Sequence, residues 1–543
     1  MWSSRTSGRN CPTGIPENVG GRELAALSRL IDARSALPLV LAVALWLTAT
    51  AGLRPLMLPD EGRYVGIAWE MLTSGDWLVP RLDGLPFFHK PPLFYWLSAL
   101  SMGMGGAHEL PARAPSLLAA TLAATALFLF VRRYRNSRVA TLAVVILCTQ
   151  PGFYAGAQFA NLDMLVAGMI SLAILSGADS FLRREQGLPW RAALARTYVF
   201  AAAGVLAKGL IGIVLPVGVL ASWLLWRRSW RSLTMLFWLP GWLLFLLIAL
   251  PWFFWMQHSF PGFFDYFVVY HHFQRFSQTG FNNQMPIWFY LPVILLGGLP
   301  WSPWFARVVQ NPFRESVEPS GLRSLMAIWL LLIVVFFSLP SSKLVGYILP
   351  AIPPFAYLLA DSFSAWFDRD RTRAERWYAR TLALAAIACL ALVVAVAVAD
   401  RVSARQLAGA ARGVFATHEQ LIMVDEYQYD LPFYLRAQQA SWVVSTWDDP
   451  EIPRQDNWRK ELADGGTFDH AAEQAVLLTP ARLVARLCGS DAGVVWIWGG
   501  RRASAVLPWL PQQTVFGADQ KHALWRLEPT AFKTLCSEMP RSD

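Results

Sequence analysis

The chain has 543 residues, of which 55% are hydrophobic, with a mean hydropathy of +0.36, a net charge of +10 and 26 tryptophans. Soluble domains rarely have so apolar a composition, and this tryptophan content is typical of membrane interfaces. The positive charge is concentrated in short arginine clusters between apolar segments, as topology signals are, and this distribution argues against nucleic acid as a partner.

Three regions are predicted along the chain. Residues 1–36 are polar, contain glycine and arginine, and are expected to form a cytoplasmic N-terminal extension. Residues 37–402 carry successive apolar segments and predict a polytopic α-helical membrane domain with about 11–13 transmembrane helices. The apolar segments lie near 37–54, 112–131, 139–155, 163–181, 197–226, 233–255, 286–306, 323–339, 344–360 and 380–399. Residues 403–543 lack such segments and predict a soluble α/β domain.

Arginine clusters such as 132–138 and 183–196 set the expected topology. Placing them in the cytoplasm puts the segment 60–106 and the C-terminal domain on the outer side of the membrane. This topology is consistent only if the segment 91–106 does not cross the membrane. That segment is short and begins with Pro91-Pro92, so we expect it, like 60–74, to be an external helix at the interface.

All three lysines in the first 400 residues fall on the outer side, against the positive-inside bias. They are Lys90, Lys208 and Lys343. Lysines at helix ends often extend toward the interface simply to reach water, which is the alternative explanation. Three of three on this side instead favour an anionic ligand held at the outer face.

Two aspartates, Asp60 and Asp163, each stand at the outer start of a predicted helix. Helix capping is the ordinary explanation for an aspartate in that position. However, two carboxylates from separate outer segments are costly near lipid unless they have a polar task. We therefore also consider both as catalytic groups.

Further polar side chains of the outer segments are Arg63, Arg275 and Tyr347. Together with the three lysines, they suit a phosphate attached to a long lipid tail. Carboxylates beside such cations suit a reaction at a sugar carbon or a sugar amine. The set therefore predicts transfer of a group from a lipid phosphate.

The sequence also offers candidate residues for a metal site and for a disulfide. His89 and His272, the latter next to His271, are candidate metal ligands, but no HxxxH or carboxylate–histidine spacing supports a site. No cofactor is required, and a divalent metal is left open. Cys488 and Cys536 lie in the soluble domain and would form a disulfide if that domain is outside the cytoplasm.

Several motifs match a known family in order. The segment 58–96, LPDEGRYVGIAWEMLTSGDWLVPRLDGLPFFHKPPLFYW, resembles the first external loop of bacterial membrane glycosyltransferases with the GT-C fold. It is similar to the 4-amino-4-deoxy-L-arabinose lipid A transferases, which are related to protein O-mannosyltransferases. Later matches are NLDM, LAKGLIG, HFQRF, SKLVGYILPAIPP and, in the C-terminal domain, VDEYQYDLPFYLRA.

The resemblance implies a multi-pass enzyme of the bacterial inner membrane, with its active site and C-terminal domain in the periplasm. Such an enzyme moves a sugar from undecaprenyl phosphate to a lipid acceptor such as lipid A. It implies that Asp60 is the principal catalytic carboxylate and Asp163 a second one. It also implies that the carrier phosphate is held by Lys90, Arg275 and Tyr347, with Arg63 and Lys208 nearby. The family often has glutamate before the loop lysine, where this chain has His89.

Other functions remain open at this point. A protein O-mannosyltransferase, or a transferase of another sugar, would carry the same motifs. A flippase or transporter of lipid-linked sugars would also bind lipid phosphates, but the halves of the chain do not repeat each other and a soluble domain follows them. A structural protein that docks through its C-terminal domain is a third alternative.

Overall fold

The computed structural model describes residues 36–274, 283–310, 321–399, 402–489, 493–531 and 536, with side chains to residue 270 in the first range. The N-terminal extension expected over 1–36 therefore lies, except for Ala36, outside the described residues.

Helices account for most of the described residues before residue 400. They are α1 Leu37–Thr48, α2 Asp60–Ser74, α3 Leu93–Gly105, α4 Glu109–Tyr134, α5 Ser137–Cys148, α6 Pro151–Ala157, α7 Leu162–Glu185, α8 Arg191–Lys208, α9 Ile211–Trp226, α10 Trp230–Leu233, α11 Leu239–Ser259, α12 Tyr290–Gly297, α13 Phe305–Gln310, α14 Leu322–Ser338, α15 Ile352–Arg369 and α16 Arg371–Ala399. A π-helix covers Asp265–Gln274, and 3-10 turns cover Thr234–Phe237, Ser302–Trp304 and Val345–Ala351. The expected α-helical membrane domain is confirmed.

By length and composition, five described helical segments are able to cross a membrane, or six if the bent pair α5–α6 is one span. The five are Glu109–Tyr134, Leu162–Glu185, Trp230–Ser259, Val345–Arg369 and Arg371–Ala399. Three shorter apolar helices, α1, α9 and α14, accompany them. The chain is therefore a multi-pass membrane protein, and the count of 11–13 spans stays a prediction.

The helices run between two ends of the bundle. At one, which we call the arginine end, Arg135 and Arg323 both bind Asp361, at 3.4 and 2.5 Å. At the other, which we call the site end, Asp163 at the start of α7 pairs with Lys208 at the end of α8. Because α7 also carries Asp179 near its far end, that one helix connects both ends.

The segment between α1 and α4 contains the two helices expected there, α2 and α3, joined by a short antiparallel hairpin. Its strands are β1 Arg81–Leu82 and β2 Leu85–Pro86. Asp83 and Gly84 form the turn with positive φ of 57° and 79°. Helix α3 starts directly after Pro91-Pro92, which cannot supply hydrogen-bond donors to a preceding turn.

The C-terminal domain is α/β, as expected. Its strands are β3 Gln420–Val424, β4 Trp442–Val444, β5 Leu477–Leu478, β6 Val495–Gly500, β7 Val515–Ala518 and β8 His522–Leu527, in the order β5-β4-β3-β6-β8-β7. The first four are parallel and β8 and β7 are antiparallel. The helices are α17 Arg405–Ala411, α18 Leu431–Leu435, α19 Trp458–Gly466, α20 His470–Val476, α21 Pro480–Gly489 and α22 Ala503–Val506. The expected Cys488–Cys536 disulfide is present.

The C-terminal domain packs closely on α2. A Cβ atom at Gly62 would stand 2.9 Å from the Cβ of Tyr429, so only glycine permits this approach. The indole of Trp69 donates to the carbonyl of Ala437 at 2.8 Å, and the Tyr434 hydroxyl accepts from the amide of Leu56 at 2.9 Å. The segment 424–437 therefore attaches the domain at the site end.

Candidate active site

Glu61 anchors the start of α2 and is fully buried. Its carboxylate accepts from Arg113 Nε at 2.8 Å and from the amide of Ala160 at 2.7 Å, and it also pairs with Arg54. Burial alone would raise the pKa of Glu61, but the Arg113 and Arg54 guanidinium groups outweigh burial and lower that pKa to about 2. Glu61 thus fixes the position of its neighbour Asp60 relative to α4 and to the residues that lead into α7.

Asp60 is the first residue of α2 and faces an arginine one turn later. Arg63 lies 3.3 Å from Asp60 and 3.1 Å from Glu461 of α19, and its guanidinium stacks 5.1 Å from the Tyr429 ring centre. The Tyr429 hydroxyl donates to Glu461 at 2.6 Å. The N-cap of α2 is Pro59, so Asp60 does not occupy the capping position but lies in the first turn of the helix.

Asp163 forms a second, more enclosed pair at the start of α7. The N-cap of this helix is Asn161, whose side chain accepts from the Asp163 amide at 3.0 Å. The carboxylate of Asp163 pairs with Lys208, and only 11% and 12% of the two side chains are exposed. Lys208 Nζ also lies 4.1 Å from the ring centre of Tyr347. The structure therefore brings three predicted site residues into contact.

The two groups are neighbours. Burial raises the pKa of the Tyr64 phenol, and the negative charges of Asp60 and Asp163 raise that pKa further. The charge of Asp60 also stabilises the ammonium group of Lys208. Asp60 is the open member, with 39% of its side chain exposed, whereas Asp163 is almost covered. One carboxylate is thus accessible to a substrate, and the other is neutralised by a lysine.

A further polar group surrounds the residue before Lys90. His89 Nε2 lies 2.7 Å from the Tyr266 hydroxyl, which donates to Asp464 of α19 at 3.0 Å. Lys460 pairs with the same carboxylate at 3.1 Å. Burial raises the pKa of Asp464, although Lys460 opposes this effect. Lys90 is half-buried beside this group.

The remaining predicted residues lie elsewhere or outside the described parts. Lys343 is buried, and its ammonium donates to the carbonyls of Met285, at 2.9 Å, and Pro340. Arg275 and the side chain of His272 are outside the described residues. Among the side chains that are described, no three His, Cys, Asp or Glu residues are grouped so that they could hold a metal. The nitrogen of His89 facing Tyr266 is engaged in a hydrogen bond.

Sequence reasoning missed the contribution of the C-terminal domain, namely Glu461, Tyr429 and Asp464. Nothing in the local pattern of α19 distinguishes these carboxylates from those of any amphipathic surface helix. Glu61 did have a signal. Arg54 and Arg113 interrupt apolar surroundings, and arginine in such a position needs an anionic partner.

Comparison with known proteins bears on this arrangement. Residues 37–267 match the family described as Dolichyl-phosphate-mannose-protein mannosyltransferase. The chain is 33% identical over 333 residues to the Undecaprenyl phosphate-alpha-4-amino-4-deoxy-L-arabinose arabinosyl transferase of Erwinia tasmaniensis, covering 60% of this chain and 59% of the relative. It therefore spans about three fifths of the length of the curated relatives that it matches.

Among solved structures, ArnT from Cupriavidus metallidurans bound to undecaprenyl phosphate superposes with a TM-score of 0.74 and 23% identity, covering 90% of this chain and 97% of that one. This chain has the GT-C fold of ArnT. The archaeal oligosaccharyltransferase AglB from Archaeoglobus fulgidus is a more distant match, with a TM-score of 0.50 and 14% identity over 86% and 69% of the two chains. The expected GT-C fold and the resemblance to the aminoarabinose transferases are both confirmed.

Proposed function

We propose that the chain is a glycosyltransferase that moves a sugar from an undecaprenyl phosphate carrier to a lipid acceptor such as lipid A. This proposal rests on the partly exposed Asp60 carboxylate, which lies next to the buried contact between Asp163, Lys208 and Tyr347 at the site end. The likeness to ArnT and to the arabinosyl transferases supports this substrate class.

The reaction joins an acceptor oxygen to the anomeric carbon of the sugar. The bond from that carbon to the carrier phosphate breaks, and the phosphate leaves with the electron pair. Cations fixed in a site shielded from water stabilise this growing charge. We assign this task to Lys90, Arg275 and Tyr347, with Lys208 and Arg63 nearby, and direct displacement inverts the anomeric centre.

Asp60 would face the acceptor or the sugar. A phosphate acceptor is already anionic at neutral pH, so it needs little help from a base, and Asp60 would then stabilise positive charge on the sugar ring. A hydroxyl acceptor must lose a proton, and Asp60 would take it. Both aspartates are paired with a cation, but Asp163 is only 11% exposed whereas Asp60 is 39% exposed, so Asp60 is the more accessible of the two for this role.

Two observations support a periplasmic site end in an inner membrane. The Cys488–Cys536 disulfide belongs to an oxidising compartment, and the C-terminal domain that contains it packs on α2 at the site end. The arginine end then faces the cytoplasm, in agreement with the positive-inside rule.

The test is mass spectrometry of lipid A from a Gram-negative host that lacks its own arabinosyl transferase, with and without this chain. We expect lipid A to gain an amino sugar only when the chain is expressed. Lipid A of unchanged mass, with the protein present in the membrane, would contradict the proposal for this acceptor.

A second candidate is transfer to proteins, because residues 37–267 match the protein mannosyltransferase family. Glycoproteins from the same cells distinguish the two. Hexose on periplasmic proteins, with unmodified lipid A, would favour this second function.

A further inference from the structure

A groove far from the candidate active site opens between α4, α7 and α8 at the arginine end. Its volume is about 640 Å³. The walls are apolar and are formed by Ala126, Leu129, Phe130, Leu172, Leu175 and Phe200. An apolar groove of this size has room for part of a hydrocarbon chain.

The mouth of the groove is cationic. Arg133, Arg183 and Arg196 share a single carboxylate, Asp179, at 3.9, 2.7 and 3.5 Å, and Arg132 also lines the groove. One carboxylate cannot neutralise three guanidinium groups, so positive charge remains in excess. The side chains of Arg133 and Arg196 are 38% and 52% exposed and therefore accessible to a ligand.

The groove lies at the opposite membrane interface from the site end. Asp179 follows Asp163 by 16 residues on the same helix, α7, which at 1.5 Å per residue is about 24 Å along its axis. The hydrocarbon core of a bilayer is about 30 Å thick. Leu118, Leu122 and Leu129 of α4 are 53%, 39% and 50% exposed, so the outer face of this helix is apolar beside the groove.

We propose that this groove binds one anionic phospholipid, with the headgroup phosphate on Arg133 and Arg196 and an acyl chain along the apolar walls. Basic pockets between transmembrane helices are suited to acidic headgroups, because guanidinium groups bind phosphate oxygens in pairs. Arginines that served only as topology signals would need no apolar groove between them. The proposal is independent of the reaction at the site end.

The test is native mass spectrometry of the purified full-length protein in detergent, titrated with phosphatidylglycerol or phosphatidylcholine. We expect wild type to bind phosphatidylglycerol, and Arg133→Ala/Arg196→Ala to bind it at least tenfold more weakly, which corresponds to about 1.4 kcal/mol. The control, Arg373→Ala/Arg376→Ala, removes two exposed arginines at the start of α16 and should bind as wild type does.

A second variant tests the walls separately. Leu129→Trp narrows the groove without changing its charge, and because Leu129 is half exposed we expect the fold to be retained while lipid binding weakens. The proposal is overturned if the arginine variant binds like the control, or if phosphatidylcholine binds as tightly as phosphatidylglycerol. Displacement of the lipid by millimolar inorganic phosphate alone would equally overturn it, since it would reveal a simple anion site.

Discussion

Replacing Asp60 by asparagine separates catalysis from structure at the site end. The substitution keeps the size of the side chain and removes its charge. If Asp60 contacts the sugar or acceptor in the transition state, transfer should fall by roughly 10²–10³, or about 2.7–4 kcal/mol, the scale for losing one charge-stabilising group in an enclosed site.

The expected effect on folding is much smaller. Asp60 makes one ion pair, at 3.3 Å to Arg63, and 39% of its side chain is exposed. Such pairs contribute about 0–1 kcal/mol. Arg63 would keep Glu461 at 3.1 Å, and no helix cap is lost because Pro59 occupies that position. A large loss of transfer with unchanged stability therefore has no structural explanation.

The assay measures transfer of the sugar from purified undecaprenyl phosphate-linked donor to lipid A in detergent, together with the thermal midpoint of the same sample. Asp76→Asn is the matched control. Its side chain is also 39% exposed and pairs with an arginine, Arg81, at 3.7 Å, but it lies beyond the end of α2. Wild-type transfer by a stable Asp60→Asn protein would refute the catalytic assignment of Asp60.

Three further predictions concern stability. Glu61→Gln leaves Arg54 and Arg113 without the carboxylate they share. The free energy of unfolding in detergent should therefore fall by about 3–5 kcal/mol. An unchanged thermal midpoint would count against a stabilising role for this buried group of Glu61, Arg54 and Arg113. Burial raises the pKa of Asp83 from 3.8 to about 8. As the pH rises, the unfolded chain therefore loses this proton at a lower pH than the folded chain does. The free energy of unfolding should fall between pH 4 and pH 8, and Asp83→Asn should flatten this dependence on pH. An equal slope in the variant would show that another group is responsible. Cys488→Ala opens a cross-link of sequence separation 48 and should destabilise the C-terminal domain by about 4 kcal/mol, with no further effect of reductant; a variant that reductant still destabilises would contradict this.

Much of the candidate site could be predicted because its residues mark the ends of helices. Asp163 and Lys208 stand at the boundaries of apolar segments, and charged groups at such boundaries are visible in the sequence. Their pairing, however, depends on how α7 and α8 pack. Lys343 shows the limit of the approach, because it has the same kind of sequence position but donates to backbone carbonyls.

The sequence by itself determined the membrane class, the two helices of the segment 60–106 and the α/β nature of the C-terminal domain, and it predicted the Cys488–Cys536 disulfide for a domain outside the cytoplasm. The membrane class and the two helices follow from hydropathy and proline positions, which act locally along the chain, whereas the disulfide joins cysteines with a sequence separation of 48. Only the tertiary structure decided that α19 brings Glu461 to Arg63 and Asp464 to Tyr266. These residues are hundreds of positions apart or on separate elements, and their contact depends on the close packing of α2 against residues 429–437, which no local pattern encodes.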